Sequence, residues 1–293
     1  MHVSPAPLLL CPHDAAPLTL RGATYSCTHG HSFDRAREGY VNLLPVGDKA
    51  SRDPGDSKEM VAARRRFLDT EAYAAIAAAL ADAALAHITS RPQDRAFAIL
   101  DAGCGEGTYL HKLATRLATA PGEATIHLTG IDISKWAVRA AAKRAAPVTW
   151  IVASNRRPPL PPASVDLILC VFGFPIWPGF AAVQPTGGCV ILADPGPDHL
   201  LELREIIYPE VQRHDVRPIA DASSYTQIDE QRVTAREHIA RQAVIADLLS
   251  MTPHAHRAAA AGRLALAKRT TLDITIDVVL RTFRKWDADT RVA

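Results

Sequence analysis

Through the middle of the chain, short apolar runs alternate with segments of helical apolar spacing, and this pattern predicts a sheet with helices on both faces. Short apolar runs that indicate buried strands fall at 97–101, 126–132, 148–152, 165–171 and 188–193. Between and after them, apolar residues recur at helical spacing over 107–118, 135–145 and 198–212. Strands that alternate with helices in this way are typical of a mostly parallel sheet. The expected fold class is therefore α/β.

The segments on either side of this region have different patterns. Helical spacing begins after Ser57, a residue that can cap a helix, and runs to about His87. Residues 213–245 mix charge with β-branched residues and stay ambiguous, whereas 272–278 alternate cleanly and predict an antiparallel strand. We predict three parts: a small N-terminal domain at 1–46, a basic loop and linking helix at 47–93, and a large domain at 94–293.

Composition narrows the class of protein without indicating an activity. The 293 residues are 48% apolar, which is enough for a sizeable core, and carry a net charge of only +2. Bulk charge therefore gives no sign of a nucleic-acid partner. Five scattered cysteines do not form a disulfide framework. We find no signal peptide and no apolar run that could span a membrane, and we expect a cytoplasmic protein with no membrane partner.

A glycine-rich turn after the first of these strands carries the strongest chemical signal. The strand ends at Asp101, and Gly103, Gly105 and Gly107 follow at alternate positions before a helix begins. Glycine allows positive φ angles and a close approach of the backbone to a ligand. The D-x-G-x-G-x-G form differs from the G-x-G-x-x-G of dinucleotide enzymes. It resembles the first motif of the S-adenosylmethionine (SAM) methyltransferases.

Two further strand ends are expected to meet that turn. Asp132 ends the second strand, where a carboxylate can accept hydrogen bonds from both ribose hydroxyls. Ser154 and Asn155 follow the third strand and would flank the adenine. Ligands of open α/β sheets bind outside the carboxyl ends of the strands, so these points predict one cofactor crevice. The alternative is an ordinary βα turn, but it does not explain the second acid.

The first 46 residues contain side chains typical of a zinc site. Cys11, Cys27 and His31 supply three ligands, and zinc takes four in a tetrahedral array. Asp14 lies three residues after Cys11, at the usual position of a second knuckle ligand, and His13 competes for the fourth place. The alternative is a former zinc fold held by packing alone. We expect zinc, with an atypical fourth ligand.

Basic residues between Arg35 and Arg66 form a candidate RNA surface, which includes Arg52, Arg64 and Arg65. Beside the crevice such residues could contact the phosphates of a folded RNA. The alternative is a solvated helix face with ion pairs between successive turns.

The same segment contains two carboxylates, Asp53 and Asp56, that are candidates for accepting a proton from the substrate. Either could instead cap a turn or the following helix, and we favour that structural role for both. The sequence therefore assigns no catalytic residue.

The loop after the fourth strand is apolar and contains three aromatic residues, Phe172, Phe174 and Trp177. Aromatic planes hold unstacked bases, so these rings are candidates for contact with an extruded base. Trp177 suits core packing equally well.

Nearly the whole chain resembles one family, the bacterial 23S ribosomal RNA guanine-N1 methyltransferases, which include a tylosin-resistance branch. The resemblance is most specific from Phe33 to Leu68 and continues through the glycine turn, the Asp132 segment, 195–200 and 251–253. It implies a zinc-knuckle-like RNA-recognition domain at 1–46 before a Rossmann-like, SAM-dependent methyltransferase domain at 94–293. We expect that domain to have a seven-stranded, mostly parallel sheet.

The resemblance also implies roles for individual residues. Cys11, Cys27 and His31 match zinc ligands of the family, whereas Asp14 stands where the family has cysteine. The cofactor contacts that it implies are Tyr73, Gly105, Glu106 and His199. The loop at 170–178 departs from the family, whose version is charged.

The expected function is methyl transfer from SAM to N1 of a guanine in a 23S rRNA hairpin, and family members suggest a homodimer. One alternative is a small-molecule methyltransferase derived from this family, which the apolar loop and low net charge would suit. The other is an RNA-binding protein without turnover, against which the complete glycine turn and Asp132 argue.

Overall fold

Strands and helices alternate along the chain in the computed structural model, which describes residues 1–6, 8–48, 54–91, 94–144, 146–211, 213, 216–219 and 222–286. The strands are β1 (His2–Pro5), β2 (Leu9–Leu10), β3 (Pro17–Arg21), β4 (Thr24–Ser26), β5 (Ser32–Asp34), β6 (Val41–Asn42), β7 (Phe97–Ala102), β8 (Thr125–Asp132), β9 (Thr149–Val152), β10 (Leu167–Val171), β11 (Cys189–Pro195), β12 (Tyr225–Ile239) and β13 (Leu272–Lys285). The helices are α1 (Lys58–Leu68), α2 (Ala74–Thr89), α3 (Thr108–Thr119), α4 (Lys135–Ala142), α5 (Trp177–Val183), α6 (Leu201–Ile207), α7 (Gln242–Ser250), α8 (His254–Arg257) and α9 (Ala260–Ala267).

The main sheet has the order β12-β13-β11-β10-β7-β8-β9-β6, with β1 paired to β8. Neighbours from β11 through β6 run parallel, whereas β13 is antiparallel to both β11 and β12. The five strands predicted from apolar runs and the predicted antiparallel strand are all present. Strands β7 to β13 form the expected seven-stranded sheet, which confirms the α/β prediction.

Both faces of this sheet are covered, because the parallel strands are apolar on both sides. Every residue of β9 and β10 is buried, as is typical of a parallel sheet between two layers of helices. One apolar cluster centres on Phe67, Ile76 and the sheet, and the other contains Trp177 and Phe180. The carboxyl ends of the parallel strands therefore meet at one edge of a rigid core.

The helix predicted from Ser57 to His87 is two helices, so that expectation was wrong in one respect. Ser57 does cap α1, since its hydroxyl accepts the N–H of Met60 at 3.2 Å. The chain then turns between α1 and α2, where Glu71 adopts a φ of +66°. This break buries Tyr73 at the start of α2, with its ring edge-on to Phe67.

The first 46 residues are joined to the main sheet on both sides. Strands β2 to β5 form a separate four-stranded antiparallel sheet between Leu9 and Asp34. Strand β1 before it pairs with β8, and β6 after it pairs with β9. These two pairings were not predicted, and they bring the described strands of the main sheet to nine.

Among the helices that the structure describes, none combines the length and the apolar character that crossing a membrane would require.

Candidate functional site

The glycine turn after β7 presents bare backbone to the edge of the sheet. Gly103 and Gly105 have φ angles of +95° and +55°, which glycine adopts readily. A Cβ on Gly103 would meet no described atom within 4 Å, and one on Gly105 would meet Arg64 Nη1 at 3.8 Å. These two glycines therefore line open space that a side chain would fill.

Gly107, which was predicted to contact the cofactor, is surrounded by closely packed side chains. A Cβ there would lie 2.8 Å from the Ala141 side chain and 2.8 Å from the Trp150 ring. Gly107 also begins α3 with a φ of +83°. Close packing of α3 against α4 and β9 therefore explains why this position is glycine, and its predicted contact with the cofactor stays a prediction.

Asp132 is held by the turn it was predicted to face. Its carboxylate accepts the N–H of Gly105 at 2.9 Å and the N–H of Ser134 at 2.8 Å. Burial raises the pKa of this carboxyl, and the two backbone donors partly oppose that shift. The acid at the end of β8 and the glycine turn after β7 thus form one unit, as the strand order predicts.

Asp101 is buried without a compensating partner. Neither of its carboxylate oxygens has a hydrogen-bond partner among the residues that the structure describes. Burial, with the nearby charge of Asp132 in second place, raises its pKa to about 8. An uncompensated buried carboxyl is costly, and such groups mark binding sites for a cation or a donor.

Tyr73 and His199 meet at this edge, although 126 positions separate them in the chain. His199 Nδ1 accepts the N–H of Asp277 at 3.2 Å, and Nε2 lies 3.1 Å from the Tyr73 hydroxyl. Burial lowers the pKa of His199 to about 4, so the ring is neutral near pH 7. Its proton therefore resides on Nε2 and is donated to Tyr73, which leaves the tyrosyl proton free for another acceptor.

The polar groups left over at this edge fit SAM. Asp101 offers an acceptor for the ammonium group, and Asp132 offers one for the ribose hydroxyls. The Tyr109 hydroxyl and Asn155 Oδ1, both buried and without a partner in the described part of the chain, add a donor for the carboxylate and an acceptor for the adenine amine. Tyr109 was missed by sequence reasoning, because a tyrosine on a helix gives no signal of its own.

Two predicted cofactor residues have other partners. The buried Glu106 carboxylate is ion-paired with Arg144, whose Nε lies 2.9 Å from it and also donates to the Glu106 carbonyl at 2.8 Å. Its side chain is therefore committed to Arg144. The Ser154 hydroxyl accepts the N–H of Arg156 at 3.2 Å and stabilises the turn after β9.

The predicted aromatic residues separate into three environments. Phe172 has a φ of +52° and lies with its ring centroid 6.1 Å from Tyr73 and 5.6 Å from His199. Phe174, two residues on, is 74% exposed. Trp177 is 4% exposed and packs against Phe180, Tyr225 and Phe283. Of the two interpretations left open for Trp177, the structure therefore supports core packing and not contact with a base, because the core encloses its ring.

The basic segment contacts the crevice through Arg64. The Arg64 guanidinium is ion-paired with Asp56 and donates to the Met251 carbonyl at 3.0 Å. Ser134, next to the ribose acid, donates its hydroxyl to the Asp56 carbonyl at 2.7 Å. Asp56 thus fastens its loop onto the crevice, which matches the structural role favoured for it.

The remaining RNA-contact and proton-acceptor candidates of this segment are Arg65, Arg52 and Asp53. Arg65 lies 3.7 Å from Asp69, one helical turn on, in the kind of ion pair that the alternative interpretation expected. Arg52 and Asp53 lie outside the described residues.

The four predicted metal ligands converge in the small sheet. The Nδ1 atom of His31 lies 3.5 Å from each of the Cys11 and Cys27 sulfurs and 3.1 Å from Asp14 Oδ2, which is 3.6 Å from Cys27 Sγ. Zinc bonds of about 2.0–2.3 Å in tetrahedral array place ligand atoms roughly 3.3–3.8 Å apart. The donor set and its spacing therefore fit zinc.

The competition for the fourth ligand position is decided by this geometry. The Asp14 oxygen belongs to the group of four ligand atoms, all within 4.8 Å of one another. The His13 ring instead stacks on Phe33 and tilts against His31. The Ala16 N–H and then His29 hold the pKa of the Asp14 carboxyl well below its usual value. An ionised carboxylate is the form that a metal binds.

Comparison with known proteins now gives the family. Over 265 residues the chain is 32% identical to the Bacillus subtilis protein YxjB, which is provisionally named a 23S rRNA (guanine-N1)-methyltransferase; the match covers 88% of this chain and 89% of that protein. The chain belongs to the 23S rRNA (guanine-N1)-methyltransferase family. A similarly named protein of Micromonospora griseorubida is 36% identical and covered over 70% of its length, with 69% of this chain matched. The 23S rRNA (guanine(748)-N1)-methyltransferase of Streptomyces fradiae is 35% identical, with 67% of this chain and 66% of that protein covered.

Two protein-family models match this 23S rRNA methyltransferase, and each matched segment contains one of the two candidate sites. The N-terminal zinc ribbon of RlmA-type proteins matches residues 9–52, which contain the metal ligands. A methyltransferase domain matches residues 99–184, which contain the glycine turn, Asp132 and Asn155. The cofactors of this member are therefore SAM and a zinc ion, and Asp14 lies beside the three other predicted zinc ligands.

Proposed function

We propose that this protein transfers the methyl group of SAM to N1 of a guanine in 23S ribosomal RNA. Membership in the family supports this assignment, and the observation that carries it is the crevice formed by Gly103, Gly105, Asp101 and Asp132. Bare backbone, a ribose acid and an uncompensated buried carboxyl occur together at the sheet edge. Each of them has a counterpart in the chemistry of SAM.

In the reaction, the N1 lone pair attacks the methyl carbon, and the carbon–sulfur bond breaks with its electron pair staying on sulfur. The N1 proton passes to a base from the solvent before or during the attack. SAM supplies the activated methyl group, so the chain has to hold donor and base in line and exclude water. Positioning of this kind supplies up to ~7–11 kcal/mol of barrier lowering.

The side chains of the crevice divide this work. Asp132 binds the ribose, and Asp101 attracts the ammonium group of the donor. Tyr73, whose proton is free because His199 donates to its oxygen, offers a hydrogen bond to an acceptor of the donor molecule. The Asp56 carboxylate is paired with Arg64, so we assign it to holding its loop and not to proton transfer.

The test is nucleoside analysis of the product. The protein is incubated with isotopically labelled SAM and naked 23S rRNA transcript, and the digested RNA is separated by chromatography. N1-methylguanosine is the expected product, and Asp132→Ala is the control that should abolish it. Cofactor binding without transfer to any acceptor would mean an RNA-binding protein, and would contradict the proposal.

The small-molecule alternative has one observation in its favour, the apolar loop that carries Phe172 and Phe174 at the mouth of the crevice. Incubation with labelled SAM and small organic acceptors tests it directly. Label that enters these acceptors and never RNA would favour it. A hairpin substrate, a homodimer and a cytoplasmic location stay predictions that rest on the family resemblance and on the sequence.

A further inference from the structure

An exposed aromatic ring lies beside the crevice and is held by a cation. Phe174 is 74% exposed, in the loop that follows β10. The guanidinium carbon of Arg217 lies 4.4 Å from the ring centroid, and its Nη1 donates to the Gly173 carbonyl at 3.1 Å. The ring and the backbone before it are thus bound by one side chain from a distant segment.

Arg217 is itself fixed by a buried carboxylate. Its Nη2 lies 3.8 Å from Asp194 Oδ1, and the other oxygen of Asp194 accepts from Arg281 Nη2 at 2.7 Å. Asp194 is 3% exposed and lies near the end of β11, beside the end of β10. A guanidinium located by a buried charge loses little side-chain freedom on binding, so the ring that it covers is preorganised.

The same loop connects this ring to the cofactor side of the crevice. The Phe172 N–H donates to the Ala193 carbonyl at 2.8 Å, and its φ of +52° is uncommon for a residue with a side chain. Its ring contacts Tyr73 and His199, to which the family resemblance gives cofactor contacts. The turn therefore directs one aromatic ring into the crevice and leaves the next one at its rim.

We propose that Phe174 is the platform on which the unpaired target guanine stacks, and that Arg217 is its positioning residue. This inference rests on the proposed function and specifies how the base is held. Aromatic faces bind unstacked bases, and a cation beside the ring suits a polyanion. The platform is particular to this chain, since its loop is apolar where the family resemblance expects charge.

Two substitutions at one position separate stacking from simple apolar contact. Phe174→Leu keeps an apolar side chain and removes the ring, whereas Phe174→Tyr keeps the ring. We expect Phe174→Leu to lower kcat/KM for 23S rRNA by roughly 10-fold or more, and Phe174→Tyr to stay within about 3-fold of the parent. The Kd for SAM, measured by calorimetry, should not change in either variant.

The positioning role of Arg217 is tested by a double-mutant cycle. If Arg217 acts through Phe174, Arg217→Ala lowers kcat/KM for rRNA, and adding it to Phe174→Leu causes little further loss. Arg213→Ala is the matched control, because Arg213 is an exposed arginine of the same segment, 3.6 Å from Asp198. The positioning role is overturned if the two substitutions lower kcat/KM independently and Arg217→Ala reduces the slope of log RNA affinity against log salt concentration by about one. That result would mean that Arg217 contacts a phosphate directly.

Two measurements distinguish a wrong base platform from a wrong proposed function: product formation by the parent protein and kcat/KM of Phe174→Leu. If the parent protein produces no N1-methylguanosine, the proposed function fails. If the parent produces it and folded Phe174→Leu, checked by thermal unfolding, matches its kcat/KM, the platform is wrong and the proposed function stands.

Discussion

Single residues at the strand ends determine what the crevice attracts. The two acids Asp101 and Asp132 are close in space and differ in partners, because only Asp132 is reached by backbone N–H groups. Asp101 therefore stays protonated to a higher pH in the free protein than a solvated carboxyl does, and the ammonium group of a bound donor would favour its ionised form. The burial of Asp101 without a partner therefore lowers the stability of the free protein and leaves a carboxyl for SAM to bind.

The pH dependence of stability should report this cost. The pKa of Asp101 is about 8 in the folded protein against 3.8 for an ordinary aspartate, so the folded state binds a proton that the unfolded chain has released. Its contribution to stability is complete below pH 3.8 and is lost as the pH rises through about 8. We expect Asp101→Asn to flatten this decline in urea unfolding measured between pH 5 and 9 without SAM.

The same variant has a second readout. Calorimetry should detect weaker SAM binding, because a charge-assisted hydrogen bond worth roughly 1.5–3 kcal/mol is lost. Parallel stability profiles together with equal SAM affinity would remove Asp101 from the site.

The environment of Trp177 gives the opposite expectation, a residue important for stability and not for the substrate. Its ring packs among Phe180, Tyr225 and Phe283 in the second apolar cluster. Trp177→Ala should therefore destabilise the protein by ~3–5 kcal/mol in denaturant unfolding. A variant of unchanged stability that loses RNA affinity would show that the base-contact interpretation was right after all.

At the scale of elements, the zinc ribbon depends on ligands that two turns bring together. Cys11 and Asp14 lie between β2 and β3, and Cys27 and His31 lie between β4 and β5, so a zinc ion held by them would connect two turns at one end of the small antiparallel sheet. Small sheets bury little apolar surface, and a structural metal compensates for this.

Metal analysis of four variants, Cys27→Ala, His13→Ala, Asp14→Cys and Asp14→Ala, tests this arrangement. Cys27→Ala should lose zinc, because a thiolate ligand is removed. His13→Ala should retain the metal, because the His13 ring stacks outside the ligand group. Asp14→Cys should bind zinc more tightly in competition with a chromogenic chelator, since thiolate is a softer ligand than carboxylate. Zinc lost from His13→Ala and kept by Asp14→Ala would reverse the assignment.

The break between α1 and α2 is an element-scale feature that periodicity did not predict. Apolar spacing continues on both sides of Glu71, so a single long helix was the expected structure. The turn is decided by burial of Tyr73 against Phe67 and by its hydrogen bond to His199. A residue for which the family resemblance implies a cofactor contact thus lies where local preference and tertiary packing disagree.

At the scale of the whole molecule, the ribbon is anchored to the catalytic sheet. Strands β1 and β6 flank the four-stranded sheet of the ribbon in sequence and pair with β8 and β9, the strands that end beside the crevice at Asp132 and Val152. The N-terminal region therefore stabilises the sheet independently of its metal.

Truncation and metal removal should accordingly have different effects. Deleting residues 1–46 removes β1 and β6 and exposes two strand edges, so we expect a Tm lower by roughly 5 °C or more. Chelating zinc from the full-length chain leaves both pairings in place and should change this transition much less. Both Tm changes are measured by differential scanning calorimetry. If deletion and zinc removal lower the Tm equally, the pairings of β1 and β6 add no stability to the main sheet.

The sequence by itself determined the alternation of strands and helices from β7 to β11, the glycine turn with its acids, and three of the metal ligands, Cys11, Cys27 and His31. These features depend on local periodicity, on backbone freedom at glycine and on short spacings, all of which are readable along the chain. The tertiary structure alone decided the Tyr73–His199 contact, the burial of Trp177 and the support of Phe174 by Arg217. Such pairs lie far apart in sequence, and their contacts exist only after the whole sheet and its helices have packed.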